Sequence, residues 1–577
     1  MFLRFFRPVL LLSVLAVLSV LPLLTVSSAP LDRIPVTSSG SASVPLFNAW
    51  TILWNTIGVE CGFQGWWDAP IFFPERQCFA FSEPMLLTAV LQPLVRLSNS
   101  LALPYNCWLS GNLFLNGVTA ALLLRRGGCR FWSSSAAGCA MTLHPLLQTQ
   151  LEVLQLACLW PSFWLLAALL RLAAVAEDNA KVARHRRVAI WEAAAAVVCL
   201  PLTCIHHTLF MGVLLLAAGW TLIPWGAVRR WVWLVCQVAV AASPVAALVL
   251  WPVQRVLDAN GFERRAETVA VLSAIPADYL RVPEQSIFSV SGDKGGRPWN
   301  PGPGWIRVLL AVIGVSEAFR RRSADNISGR LVLLLAVLAV SAWLLSLGVY
   351  LQLGSWNIWA FLCAWLPGVA QVRSAFRFAL FFQAAVILLA GAGLEYLPGI
   401  RWRSMPGLGQ WQNLPAMIMG ILLAFEMRSA RLQTVDVPRP DEISGWASFL
   451  QNSAAAEEGV LILPYVQGHA PDDFEQTVRW MIQSTAAGLR IANGYSGFFP
   501  ASHFELQRLL GREGLSSSVT GKLRDRGIRW IVATDAKTMA MAVGQGELLQ
   551  EWRSADGMEA VFRLADAGEA KIPATRP

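Results

Sequence analysis

The sequence predicts a mainly α protein, a polytopic transmembrane helical bundle of about eleven spans followed by a small extracytoplasmic α/β domain. Three observations carry that expectation. Hydrophobic residues make up 55% of the 577 and charged residues only 14%, where a soluble chain carries roughly a quarter charged; the mean hydropathy is +0.49. Apolar blocks of spanning length recur, and every second connection between them is basic. From about Met427 onward polar residues return, and short apolar runs alternate with amphipathic segments.

Arg4 and Arg7 precede an apolar run from Pro8 to Val26, which places the N-terminus on the cytoplasmic side. The run is longer than a usual signal-peptide core and reads as a retained anchor, although Ser27-Ser28-Ala29 resembles a small-residue cleavage site. Residues 30–103 then form an outer loop. This requires that Pro84–Ser100, a short segment carrying Gln92, Pro93 and Arg96, lie along the interface and not cross. Later spans alternate, with basic clusters at their inner ends: Arg125, Arg126 and Arg130; Lys181, Arg184, Arg186 and Arg187; Arg229 and Arg230; Arg320, Arg321 and Arg322; Arg401 and Arg403. A second outer loop covers 254–304, Trp356–Pro367 is an ambiguous apolar stretch, and a last span near Trp411–Phe425 leaves the C-terminus outside. The bundle therefore takes residues 1–426 and the outer α/β domain 427–577. Within that domain Val460–Tyr465 and Ile528–Thr534 read as buried strands. Asp441–Gln451, Asp472–Gln483 and His503–Leu510 have helical periodicity.

Composition also excludes. The formal charge of +9 acts here as a topology signal and does not point to nucleic acid, because no zinc-finger or aromatic–basic RNA motif accompanies it. The ten cysteines contain no CxxC pair. A GxGxxG after a strand, a GxxxxGK[ST] loop and an HExxH are all missing, so cytosolic nucleotide-driven chemistry has little support.

Ionisable groups in or beside a bilayer are costly and therefore candidates for function. The loop GWWDAPIFFPERQCFAFSEPM, Gly65–Met85, hangs Asp68, Glu75 and Glu83 among Trp66, Trp67, Phe72, Phe73, Phe79 and Phe81. Such rings anchor a loop at the interface or stack on a ligand, and a carboxylate held there suits proton abstraction from a hydroxyl; alternatively the acids cap helices. Cys61 and Cys78 flank the loop and either bridge it or remain free thiols. In HPLLQTQLEVLQ, spacings of four, four and three put His144, Gln148, Glu152 and Gln155 on one helix face, as a binding stripe or an inert polar seam. Arg373 and Arg377, four apart at the outer end of a span, defy the positive-inside bias; they suit a phosphate or an ion pair with loop acids. His206 and His207 read as interface residues, because a metal role needs carboxylates brought in from elsewhere.

Several of these segments, taken in order, resemble bacterial GT-C-type integral membrane glycosyltransferases, in particular a subgroup with a C-terminal outer domain. They are WWDAPIFFP, FAFSEP, LPYNCWLSGNLFLNG, HPLLQTQ, RSAFRFALFFQAAVILLAGAGLEYL and NGYSGFFP, spread from about Trp50 to Val532. The resemblance implies transfer of a sugar from a polyprenyl-phosphate-linked donor to a glycan, lipid or protein acceptor on the extracytoplasmic face of the plasma membrane. It implies a first-loop acid as base or ligand of a divalent metal ion, a role that falls on Glu83 or Asp68. Asp32, in PLDRIP directly after the first span, competes for the same role, and the family's usual Asp-Glu doublet is missing. Arg373 and Arg377 would meet the lipid phosphate, with His144, Gln148, Glu152 and Trp67 positioning substrate. A non-catalytic scaffold or export protein with a glycan-binding outer domain is the alternative expectation.

Overall fold

The computed structural model describes residues 2–26, 31–36, 41–178, 183–289, 299–320, 327–397, 414–430, 432–543 and 545–565. Ser27–Ala29, Lys181, Arg321, Arg322, Arg401 and Arg403, invoked above, lie outside them. The long helices of the first three-quarters of the chain are α1 (Phe2–Val20), α2 (Ser43–Glu60), α3 (Ala102–Arg126), α4 (Phe131–Thr142), α5 (Trp160–Glu177), α6 (Ala183–Thr203), α7 (Ile205–Ala218), α8 (Val228–Ala259), α9 (Trp305–Arg320), α10 (Ile327–Ser346), α11 (Ala379–Leu394) and α12 (Leu414–Phe425). Among the described residues, 7 stretches are long and apolar enough to cross a membrane, containing α1, α3, α5, α7, α8, α10 and α11. The shorter or less apolar α4, α6, α9 and α12 pack among them, so the described residues hold seven stretches of spanning length where the sequence predicts about eleven spans. The chain is a multi-pass membrane protein.

Lipid supplies no hydrophobic drive between helices, so close backbone approach has to hold them together. The bundle achieves it with glycines. A Cβ on Gly138 of α4 would lie 2.8 Å from the Gly117 carbonyl oxygen of α3, and one on Gly393 of α11 would lie 2.0 Å from the Leu310 oxygen of α9. Two further apolar stretches fall short of spanning length. Leu86–Leu91 and Gln92–Ser98 form two short helical turns. Trp356–Pro367 resolves into one side of a two-residue antiparallel ladder and the helix Ile358–Trp365, whose 8 residues are too short to span.

The C-terminal region carries a five-stranded sheet built from β3 (Gly459–Leu463), β4 (Arg490–Ile491), β5 (Ile528–Ala533), β6 (Leu548–Arg553) and β7 (Ala560–Leu564), in the order β4-β3-β5-β7-β6. β3 runs parallel to β4 and β5, and β7 is antiparallel to both β5 and β6. The wholly buried β3, sequence GVLIL, is the near-continuous apolar run expected of a parallel strand. A separate ribbon pairs β1 (Arg33–Val36) with β2 (Gln433–Asp436), tying the segment after α1 to the segment after α12.

The Gly65–Met85 loop docks on this sheet. The Phe72 N–H donates to the Asn493 oxygen at 3.1 Å, the Phe73 N–H to the Ile491 oxygen at 2.9 Å, and the Ile491 N–H to the Pro70 oxygen at 3.1 Å, so the loop extends the edge at β4. Phe73 fills the space left by Gly459, where a Cβ would sit 2.3 Å from its ring, and Phe72 does the same at Gly494, at 2.6 Å. This corrects one expectation. Trp66, Phe72, Phe79 and Phe81 are buried and do not anchor at an interface; an unpaired strand edge and an apolar face nearby offer them more contact than headgroups would. Nor do Cys61 and Cys78 form a bridge. Cys61 caps the C-terminus of α2 and is exposed, Cys78 turns into the core, and both are free thiols.

Gly459→Val is expected to expel the Phe73 ring and release the loop. Limited trypsin digestion of the full chain should then cut faster at the exposed Arg76 than in the parent; equal rates would show that the loop stays docked without this contact.

Candidate active site

A cavity of 1880 Å³ lies where the bundle meets the Gly65–Met85 loop and the C-terminal region. Its polar lining includes Glu83, Glu152, Gln155, His206, Arg264, Arg373 and Arg377.

Glu83 sits at the N-terminus of α7. The Ile205 N–H donates to its Oε2 at 2.7 Å and the His206 N–H to its Oε1 at 2.8 Å, while His206 Nδ1 bonds the same Oε1. The break between α6 and α7 creates this seat. It leaves orphan N–H groups and the positive end of a helix dipole facing a buried carboxylate. Burial pulls the Glu83 carboxyl upward, but His206 and the two backbone donors outweigh it, and the group is held below its ordinary value. Cys204, the N-cap, accepts from the His207 N–H and lies 3.7 Å from Glu83 Oε1; burial pushes its thiol well up. With Nδ1 engaged, Nε2 is the nitrogen that His206 has left for a ligand.

Facing this seat are three guanidiniums. Arg264 donates to the Gly497 oxygen and stacks over Phe498 at 3.7 Å from the ring centroid; Phe498 in turn stacks on Phe262 at 4.9 Å. Burial lowers Arg264 to about 10, and the positive charges of Arg373 and Arg377 push the same way. Nε of Arg264 and Nε of Arg377 are buried without a hydrogen-bond partner among the described residues. Buried donors left unmade are expensive, and donors of this kind beside a cavity can hold an anion. The opposite wall is apolar. Leu209, Gly212, Val213 and Leu216 of α7 face Ala247, Leu250, Trp251 and Val253 of α8, and Leu216 and Trp251 are largely exposed.

The remaining sequence candidates fall elsewhere. Asp68 is exposed and braces its own loop, accepting from the Gln77 N–H at 2.8 Å. Trp67 packs on Trp66 at 4.6 Å, off the cavity. Asp32 pairs with Arg439 at 2.7 Å beside the β1–β2 ribbon. The expected helical stripe does not exist. Its helix covers only Pro145–Gln148, and the Thr149 hydroxyl, bonded to the Leu146 oxygen at 2.8 Å, closes the turn. Buried His144 accepts the Leu147 N–H through Nδ1 and meets the Leu380 oxygen through Nε2 at 2.9 Å. Gln148 donates to Thr142 and accepts from the Ala430 N–H. Both are seams; Glu152 and Gln155, beyond the break, reach the cavity. Arg373 and Arg377 also reach it, but Arg373 precedes the short helical turn Ala375–Phe378, so helical spacing is not what brings them together. His206 and Arg264 were missed. The His206-His207 pair was visible as a sequence oddity, whereas nothing around Arg264 distinguishes it from neighbouring Arg265.

Glu83, Cys204 and His206 bring three ligand atoms within 4.8 Å of one another. Mixed N, S and O donors suit a zinc-class ion better than magnesium. Binding would replace the Glu83–His206 hydrogen bond and remove the thiol proton.

No protein-family model and no curated protein sequence matches the chain. Among solved structures it is similar to arabinofuranosyltransferase AftD from Mycobacteria, with a TM-score of 0.53 at 15% identity over 96% of this chain and 40% of that one. A mutant of the same enzyme gives 0.55 at 14% identity, over 97% and 42%. The oligosaccharyltransferase AglB from Archaeoglobus fulgidus aligns at 0.44 and 13% identity, over 100% and 76%. The chain thus spans about two-fifths of the length of the arabinofuranosyltransferase. The likeness that carries weight is one of fold: this is a multi-pass membrane protein of the GT-C fold, the class its sequence motifs resemble.

Replacing Glu83 by Gln should cost about 1–3 kcal/mol at neutral pH, because charge-assisted bonds to α7 are lost. A carboxyl held below its ordinary value contributes stability above the ordinary carboxylate range and loses it as pH falls through the lowered value. The gap between parent and variant in thermal unfolding should therefore narrow on acidification; a constant gap would mean that the charge is not what holds α7.

Proposed function

We propose that the protein is a membrane glycosyltransferase that moves a sugar from a polyprenyl-phosphate-linked donor to an acceptor on the extracytoplasmic face. One observation carries this reading: a single cavity joins guanidiniums with unmade hydrogen bonds to an apolar wall between α7 and α8. An amphiphile with a phosphate head and a hydrocarbon tail fits both halves, and a soluble sugar nucleotide has no use for the second. The fold shared with an arabinofuranosyltransferase supports the same class of chemistry. The extracytoplasmic assignment is supported by the position of the cavity, which lies at the end of the bundle away from the arginine-rich termini of α3 and α6.

In this reading the acceptor hydroxyl oxygen attacks the anomeric carbon, and the bond to the carrier phosphate oxygen breaks with inversion. The phosphate leaves with the electron pair, and Arg264, Arg373 and Arg377 neutralise it. The hydroxyl proton passes to His206 Nε2. Glu83 is a poor base, because it already accepts several hydrogen bonds and is held below its ordinary value; its role is to orient the imidazole and stabilise the imidazolium. Asp68 and Asp32 take no part. A zinc-class ion held by Glu83, Cys204 and His206 would take the imidazole lone pair for itself, so metal binding and the role of His206 as base are alternatives at this site. The wall contributed by the C-terminal region, with Asp472, Tyr495 and Phe499, is left for the acceptor, whether glycan, lipid or protein.

The test is sugar transfer by the full chain reconstituted in liposomes with polyprenyl-phosphate sugars. Arg377→Ala is expected to weaken carrier binding about ten- to a hundredfold, as loss of a charge-assisted hydrogen bond does. His206→Gln should keep carrier binding and lower turnover by at least about a hundredfold, while Asp68→Asn changes neither. Normal transfer by both the Arg377 and His206 variants would overturn the site.

A further inference from the structure

The arginine-rich end of the bundle, remote from the cavity, contains a second concave site. Glu192 of α6 accepts from Arg126 Nη2 at 2.6 Å, from Arg171 Nη1 at 2.8 Å and from Trp164 Nε1 at 3.1 Å. One carboxylate is thus shared by two guanidiniums. Arg184 and Arg187 project from the first turns of α6; both are exposed, and neither is paired with an acid among the described residues. With Arg171 and Glu192 they line a shallow basin of 730 Å³, whose other wall is Trp164, Val188 and Trp191. Trp191 is 65% exposed and Val188 43%. The basin therefore has surplus positive charge at its rim and open apolar surface below it.

We propose that this basin binds the headgroup of an anionic phospholipid. The phosphate diester sits on Arg184 and Arg187, whose fork-shaped donors match its oxygens, and the acyl chains run down Val188, Trp191 and Trp164. Arg171 is already held by Glu192 and supplies field without a contact of its own. Basic pockets between membrane helices are suited to lipid heads of this charge, and indole rings to the interface below them. A free phosphate shares the chemistry of the rim but not that of the wall. The site is separate from the cavity and owes nothing to the glycosyltransferase reading.

Native mass spectrometry of the full chain in detergent tests this with phosphatidylglycerol, phosphatidylcholine and inorganic phosphate as probes. Phosphatidylglycerol should be retained at least about ten times better than phosphatidylcholine, and the double substitution Arg184→Ala with Arg187→Ala should remove that preference. Excess inorganic phosphate should not displace the lipid. Equal retention of the two lipids, an unchanged preference in the double variant, or displacement by phosphate would each overturn the assignment. Arg187→Glu, a single change at an exposed unpaired position, applies the same criterion should the double variant fail to fold.

Discussion

Glu83 is an ionised group in a buried junction, and the arrangement of the whole cavity follows from keeping it charged there. A carboxylate taken out of water needs replacement donors. The chain provides them by ending α6 at Thr203 and restarting at Ile205, so that two fresh backbone N–H groups point at one spot. The same restart turns His206 onto the carboxylate and into the cavity. The loop carrying Glu83 to that spot is gripped at its far end, where Pro70–Phe73 continues the β4 edge. The bundle, the loop and the C-terminal sheet thus share one structural dependency.

The device is used twice. Glu426, just after α12, is buried at the start of α9 and accepts the Ile306 N–H at 3.1 Å and the Arg307 N–H at 3.3 Å. The Arg307 side chain, also fully buried, lies 3.8 Å from it and reaches the Ala140 and Leu143 carbonyls. In both cases an acid leaving one element neutralises the dipole of another. The two outcomes differ in what lies alongside: Glu426 is buried against its arginine, whereas Glu83 borders the cavity that Arg264, Arg373 and Arg377 also line. That contrast separates a structural lock from a candidate site more clearly than burial alone.

Aromatic residues do the joining at this level of the molecule. Phe72 and Phe73 enter spaces left by Gly494 and Gly459, and Phe81 meets Phe262, which stacks on Phe498 beneath Arg264. The loop therefore positions the acid at one end and, through this ring stack, one of the anion-binding arginines.

The sequence by itself determined the membrane bundle, the alternation of basic connections, and the strand-bearing C-terminal region. Hydropathy and charge are properties of residues summed along the chain, so segments declare themselves without partners. It also marked Glu83, Arg373 and Arg377 as residues that break membrane rules. What it could not decide was which polar outliers meet. Glu83 finds its donors 122 and 123 residues away, and Asp68, an equally good acid on composition, finds Gln77 in its own loop. The stripe from His144 to Gln155 had helical spacing, yet a turn at Thr149 divided it into two buried seams and two cavity residues. Only tertiary structure assigns a charge its partner, because desolvation and pairing depend on distance in space, and the sequence records only distance along the chain.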